Sequence, residues 1–125
     1  MHRPVSVLAW LLLIASTQAH AAPSAHTQVE IRQLMDGLSD SRCQFQRNGT
    51  WYDGRAARAH LQRKYDYLLK RDLVDTAEQF IDRAASRSMS GRAYRVRCPG
   101  QAEVDAAAWF GQRLKALRGS GGPTR

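Results

Sequence analysis

The stretch Cys43-Gln44-Phe45-Gln46-Arg47-Asn48-Gly49-Thr50-Trp51-Tyr52-Asp53 decides how this chain folds. Cys43 and Phe45 alternate with Gln44 and Gln46, and Asn48-Gly49 separates them from a second arm, Thr50-Trp51-Tyr52. Asparagine and glycine both tolerate the positive φ of a type I′ turn, so alternation around this pair predicts a β-hairpin. Its arms are too short to persist alone and must pack on something else.

Working outward, the periodicity on both sides is helical. Upstream, Thr27-Gln28-Val29-Glu30 has the form of a capping box, and Ile31, Leu34, Met35 and Leu38 follow on one face, which predicts a helix over 28–39. Downstream, Asp53 caps a helix over 54–71 whose apolar stripe is Ala57, Leu61, Tyr65 and Leu68. Asp75-Thr76-Ala77-Glu78 reads as a second capping box, opening a helix to residue 85 that buries Ala77, Phe80, Ile81 and Ala84. Residues 86–91, Ser-Arg-Ser-Met-Ser-Gly, break the period and read as a loop. A strand follows, with Tyr94, Val96 and Cys98 on one side and Ala93, Arg95 and Arg97 on the other, until Pro99-Gly100 ends it. A last helix over 103–118 carries Val104, Ala107, Phe110, Leu114 and Leu117, with Trp109 beside them. The expected fold is α+β and mostly helical: four helices, a short hairpin and one further strand in a single domain.

The N-terminal residues have a different character. Arg3 precedes a short apolar run over 5–15, and Ala19-His20-Ala21 offers the small residues that a signal peptidase reads, so cleavage is expected after Ala21. That run is too short to span a bilayer, which takes roughly 20 residues. Residues 1–21 are thus expected to be a signal peptide, 22–26 a flexible leader, 27–118 the folded domain and 119–125 a loose tail. The expected location is the periplasm, or the exterior if the protein is secreted, with no transmembrane segment.

Export gives the two cysteines a meaning. In an oxidising compartment, Cys43 and Cys98 read as a disulfide. Closing a loop of about 56 residues is worth roughly 4 kcal/mol by the chain-entropy argument. Both thiols fall on the apolar faces of their strands. The pair lacks the ligand spacing of a zinc site, and the sequence carries no metal or cofactor motif.

The chain is basic, with 19 lysines and arginines against 11 acids and a formal charge of +8 over 125 residues. Such a surface favours anionic partners, and export makes envelope polymers and headgroups better candidates than nucleic acid. Arg47, Arg55, Arg95 and Arg97 are the candidate contacts, since guanidinium suits bidentate recognition of phosphate or carboxylate. If the 94–98 strand packs beside the hairpin, Arg95 and Arg97 extend a patch begun by Arg47.

Catalytic signals are sparse. His60 is the one candidate base, and it needs a nucleophile in reach, for which Ser86, Ser88 and Ser90 are available. No nucleophile elbow, zinc-protease helix or phosphate loop binds these residues together. Glu30, Glu78 and Glu103 stand near expected helix starts, where capping and the helix dipole account for them.

Several segments carry a family resemblance. Phe45-Gln46-Arg47-Asn48-Gly49, His60-Leu61 with Lys64, residues 75–82 (Asp-Thr-Ala-Glu-Gln-Phe-Ile-Asp), residues 84–91 and Tyr94-Arg95-Val96 resemble the YfeK-like family. That family comprises small exported proteins of Gram-negative bacteria with a domain of unknown function. The resemblance implies a periplasmic location and assigns no activity, cofactor or catalytic residue. Where the family tends to have Glu-Ala before the His-Leu pair, this chain has Ala56-Ala57, which costs a capping position.

Three functional readings follow. The first is a non-enzymatic binding or interaction module for an anionic envelope component or a periplasmic protein. The second is a small hydrolase or transferase using His60 and a loop serine. The third is an envelope-stress accessory or inhibitor, which needs an exposed aromatic patch around Trp51, Tyr52 or Trp109.

Overall fold

The computed structural model describes residues 2–4, 12–14 and 22–120. The expected signal peptide and the tail beyond residue 120 lie largely or wholly outside these described residues.

Helix α1 (Ala25–Asp40) leads into strands β1 (Gln44–Arg47) and β2 (Thr50–Asp53), and helix α2 (Gly54–Lys70) follows directly. Helix α3 (Ala77–Phe80) runs on into a wide π-helical turn, Ile81–Ala85. Strands β3 (Arg95–Arg97) and β4 (Val104–Asp105) precede helix α4 (Ala106–Ser120). The strands form one antiparallel sheet in the order β2-β1-β3-β4. The α+β, mostly helical expectation holds, with one strand more than the sequence suggested.

The hairpin forms as its turn chemistry dictates. Asn48 and Gly49 take φ values of 49° and 83°, which sets the register Phe45↔Tyr52 and Arg47↔Thr50. Pleating then sorts the side chains. Cys43 and Phe45 turn inward and are buried, and Val96, paired with Phe45, joins them. Gln44 and Gln46 share the outer face with their partners Arg97 and Arg95. Cys43 and Cys98 continue the β1–β3 register by one step and are joined as a disulfide.

The helices cover the inner face. Ile31, Leu34, Met35 and Leu38 of α1 meet Ala57, Leu61 and Leu68 of α2, and all are buried. These two helices approach closely at Gly54, where a Cβ would overlap the carbonyl oxygen of Leu38. Tyr65, Phe80 and Phe110 continue the core edge-to-face, with ring centroids 5.7 and 6.5 Å apart.

Four local expectations are corrected. Helix α1 starts two residues before Thr27, with Ser24 as its cap: the Ser24 hydroxyl accepts the N–H of Thr27 at 3.1 Å. The cap of α3 is Thr76, which accepts from the N–H of Gln79, while the Gln79 side chain reaches back to the N–H of Asp75. The box therefore lies one residue later than Asp75 and Glu78 suggested. The acids read as caps have other partners. Glu30, buried, and Glu78 both receive Arg118 of α4, and Glu103 receives Arg95. Finally, Val104 is exposed on β4 rather than packed in a helix. Arg95 grips Glu103 and Asp105 at 3.0 and 2.6 Å, and the backbone ladder to β3 holds this segment extended until α4 begins at Ala106.

Candidate functional site

Helical spacing puts His60, Arg63, Lys64 and Tyr67 along one side of α2, one turn after another. This side is not the core stripe. It forms one wall of a cavity of about 650 Å³. Arg47 and Asn48 at the end of the hairpin, Leu68 of the core stripe, Arg83 from the wide turn, Ser88, Met89 and Ser90 from the loop, and Tyr94 complete the lining. The wide turn is held by the buried Ser86, whose hydroxyl donates to the carbonyl of Ile81 at 2.6 Å. Such turns are often found at functional sites.

A chain of hydrogen bonds runs across the floor. Nη1 of Arg47 lies 2.9 Å from Nδ1 of His60, and Nε2 of His60 lies 3.1 Å from the Tyr94 hydroxyl. Guanidinium only donates, so Nδ1 must accept, and the neutral ring carries its proton on Nε2 and donates it to Tyr94. Nζ of Lys64 donates to the same hydroxyl at 3.1 Å and to the carbonyl of Arg87 at 2.8 Å. Both groups donate to the Tyr94 oxygen, and no acceptor for its own proton is found among the described residues.

Electrostatics follow from this packing. Burial, then the nearby Arg47, Lys64 and Arg63, push His60 down to about 4 from its ordinary 6.5. Burial, then Arg47 and Arg87, push Lys64 down to about 8. Burial raises the Tyr94 phenol against a smaller opposing pull from Arg47, which keeps it protonated. No carboxylate lines the cavity, and none of Arg47, Arg63, Lys64 and Arg83 forms an ion pair with an acid among the described residues.

The four arginines read from the sequence do not meet. Arg47 belongs to the cavity. Arg95 and Arg97 stand on the opposite face of the sheet, because they pair with Gln46 and Gln44 while Val96 between them pairs with Phe45. Arg95 is occupied by two carboxylates, and Arg97 lies over the Trp51 ring at 4.0 Å and donates to Gln44. Arg55 is exposed in the first turn of α2. The aromatic residues are also dispersed: Trp51 is on the outer face, Tyr52 sits 5.3 Å from Arg47, and Trp109 packs on Phe110.

His60 shares the cavity with Ser88 and Ser90, but both its ring nitrogens are engaged elsewhere. The two serine hydroxyls bond each other at 2.7 Å, and Ser88 also accepts the N–H of Arg92. Among the described residues, no three His, Cys, Asp or Glu side chains gather to hold a metal. No described helix is long and apolar enough to cross a membrane. Lys64, Tyr94, Arg63 and Arg83 were not singled out as site residues by sequence reasoning. The one available signal was the single-turn spacing of His60 and Lys64.

A small α+β domain with a cationic cavity between a helix and a loop is thus the class of protein defined here. By sequence it belongs to a family of unknown function, DUF5329, whose model matches residues 25–118. It is similar to the uncharacterized protein YfeK of Salmonella typhimurium, at 34% identity over 90 residues, 70% of this chain and 73% of that protein. No solved structure matches.

Proposed function

We propose that the protein is an exported binding module that takes an anionic ligand in the cavity between α2 and the loop after the wide turn. One observation carries this reading: four cationic side chains line a concave site that has no carboxylate to neutralise them. A solvated basic face would not need a cavity, and a structural ion-pair network would supply its own acids, as Arg95 and Arg118 have. Neutral donors at Asn48, Ser88, Ser90 and Tyr94 add hydrogen bonds suited to anionic oxygens. The leader over residues 1–21 and the disulfide support export, and with it a ligand drawn from the envelope. Of the arginines named from the sequence, Arg47 is the one retained in this reading.

The test is binding of the protein, purified as exported by its own leader, to lipopolysaccharide, peptidoglycan fragments and pyrophosphate at low and high salt. The expected result is binding to at least one of these that weakens as salt rises and falls tenfold or more in an Arg63→Gln/Arg83→Gln variant. Absence of binding to all three, or binding indifferent to both salt and these substitutions, overturns the reading.

A further inference from the structure

We propose that Lys64 is a nucleophilic lysine that captures a small anionic aldehyde or ketone as an imine within this cavity. The proposal rests on the anion-binding reading and adds the reacting group.

Lysine is rare in this chain. Lys64, Lys70 and Lys115 are its only lysines among 19 basic residues. Lys70 and Lys115 are exposed, whereas Lys64 is partly buried and lines the cavity. Where neighbouring positions use arginine, which never becomes a nucleophile at neutral pH, this wall presents an amine. Its Nζ is fixed by two oxygens, the Arg87 carbonyl and the Tyr94 hydroxyl, and no carboxylate holds it as an ammonium. Desolvation and neighbouring cations are the two means by which a lysine is made nucleophilic, and both act here.

The rest of the lining supplies the other parts. Arg47, Arg63 and Arg83 hold the ligand's anionic group, which orients its carbonyl. The Nζ lone pair then attacks the carbonyl carbon, and the C=O π pair moves to oxygen, which takes the Tyr94 hydroxyl proton. The adduct nitrogen returns a proton to the Tyr94 oxygen, to which His60 donates from Nε2 throughout. The Tyr94 proton then passes to the carbinolamine hydroxyl, and the nitrogen lone pair forms the C=N bond as the C–O bond breaks and water leaves. The remaining N–H proton returns to the Tyr94 oxygen, so one amine and one carbonyl give one imine and one water. No oxidant or reductant is needed.

The experiment uses the exported protein with pyridoxal 5′-phosphate, an anionic aldehyde, and pyridoxal, its analogue without the phosphate. Borohydride reduction followed by peptide mapping locates the modified lysine. Modification of Lys64 at least tenfold faster than Lys70 and Lys115 is expected, with pyridoxal much slower and pyrophosphate competing. A Lys64→Arg variant should lose this modification, and Tyr94→Phe should slow it by tenfold or more. Equal modification of the three lysines overturns the proposal. If pyrophosphate binds but Lys64 shows no preference, the nucleophile fails and the anion site stands. If pyrophosphate neither binds nor competes while Lys64 is modified selectively, the anion site fails instead.

Discussion

Arg47 donates to Nδ1 of His60 at 2.9 Å, and this bond fixes the ring as the neutral tautomer that donates from Nε2 to Tyr94. A protonated ring has no lone pair for Arg47 to reach, so charging His60 breaks the chain at its first link. The cavity floor is built for one protonation state.

That arrangement makes stability depend on pH in a defined window. Below 6.5 the unfolded chain takes a proton on His60 that the folded chain refuses until about 4. Stability contributed by neutral His60 is therefore whole above 6.5 and declines between 6.5 and about 4. An NMR titration of the ring should give a midpoint near 4. A His60→Gln variant should flatten the slope of stability against pH in this interval.

Arg118 should matter more than its position near the end of α4 suggests. It binds Glu30 of α1 and Glu78 of α3, and both carboxyls are held below their ordinary range chiefly by its hydrogen bonds. Arg118→Gln leaves the buried Glu30 without its cation, at a cost of about 1–2 kcal/mol once the half-exposure of the arginine is discounted. The cost should be full above 4.5 and vanish as pH falls through the folded values, because both carboxyls then protonate. Urea melts at pH 7 and pH 3 compare the two conditions.

Two glycines should respond in opposite directions to alanine. Gly54→Ala forces the new methyl against the backbone of Leu38 and should cost about 2 kcal/mol. Gly111 lies on the exposed side of α4 with nothing near its would-be Cβ, so Gly111→Ala should stabilise by about 1 kcal/mol. Thermal melts of both variants separate helix crowding from helix propensity.

The Cys43–Cys98 disulfide should be present in protein purified without reductant. Thiol titration under denaturing, non-reducing conditions is expected to find neither Cys43 nor Cys98 free. Replacing both with serine should cost about 2–4 kcal/mol.

Much of this architecture is legible in the sequence because its signals are local. Asn48-Gly49 between alternating arms, and the stripe from Ala57 to Leu68, each specify their element without reference to the rest. What escaped depends on partners far away in the chain. Glu30 looks like a capping residue until Arg118, 88 positions later, is brought beside it. Strand β4 exists because Arg95 reaches Glu103 and Asp105, and two residues carry no periodicity of their own. The expected arginine patch failed on register: pairing with Gln44 and Gln46 put Arg97 and Arg95 on the face away from Arg47. The cavity was hidden for the same reason, since Tyr94 meets His60 across 34 positions and Lys64 across 30.

The wide turn at Ile81–Ala85 has a meaning for how this domain tolerates editing. Relative to an α-helix it carries one surplus residue, and Ser86 locks that surplus in place through its bond to Ile81. Deleting a single residue there lets the helix close up in regular α-form and leaves the hydrophobic interior largely satisfied. It also draws the start of the following loop back along the helix axis by about one residue, roughly 1.5 Å, while pairing with β1 keeps β3 beyond the loop in place. The serines and Met89 that wall the cavity would then be pulled out of line with α2. Insertions and deletions are usually harmless in loops and harmful in cores; at this position the scaffold would survive and the cavity would lose a wall.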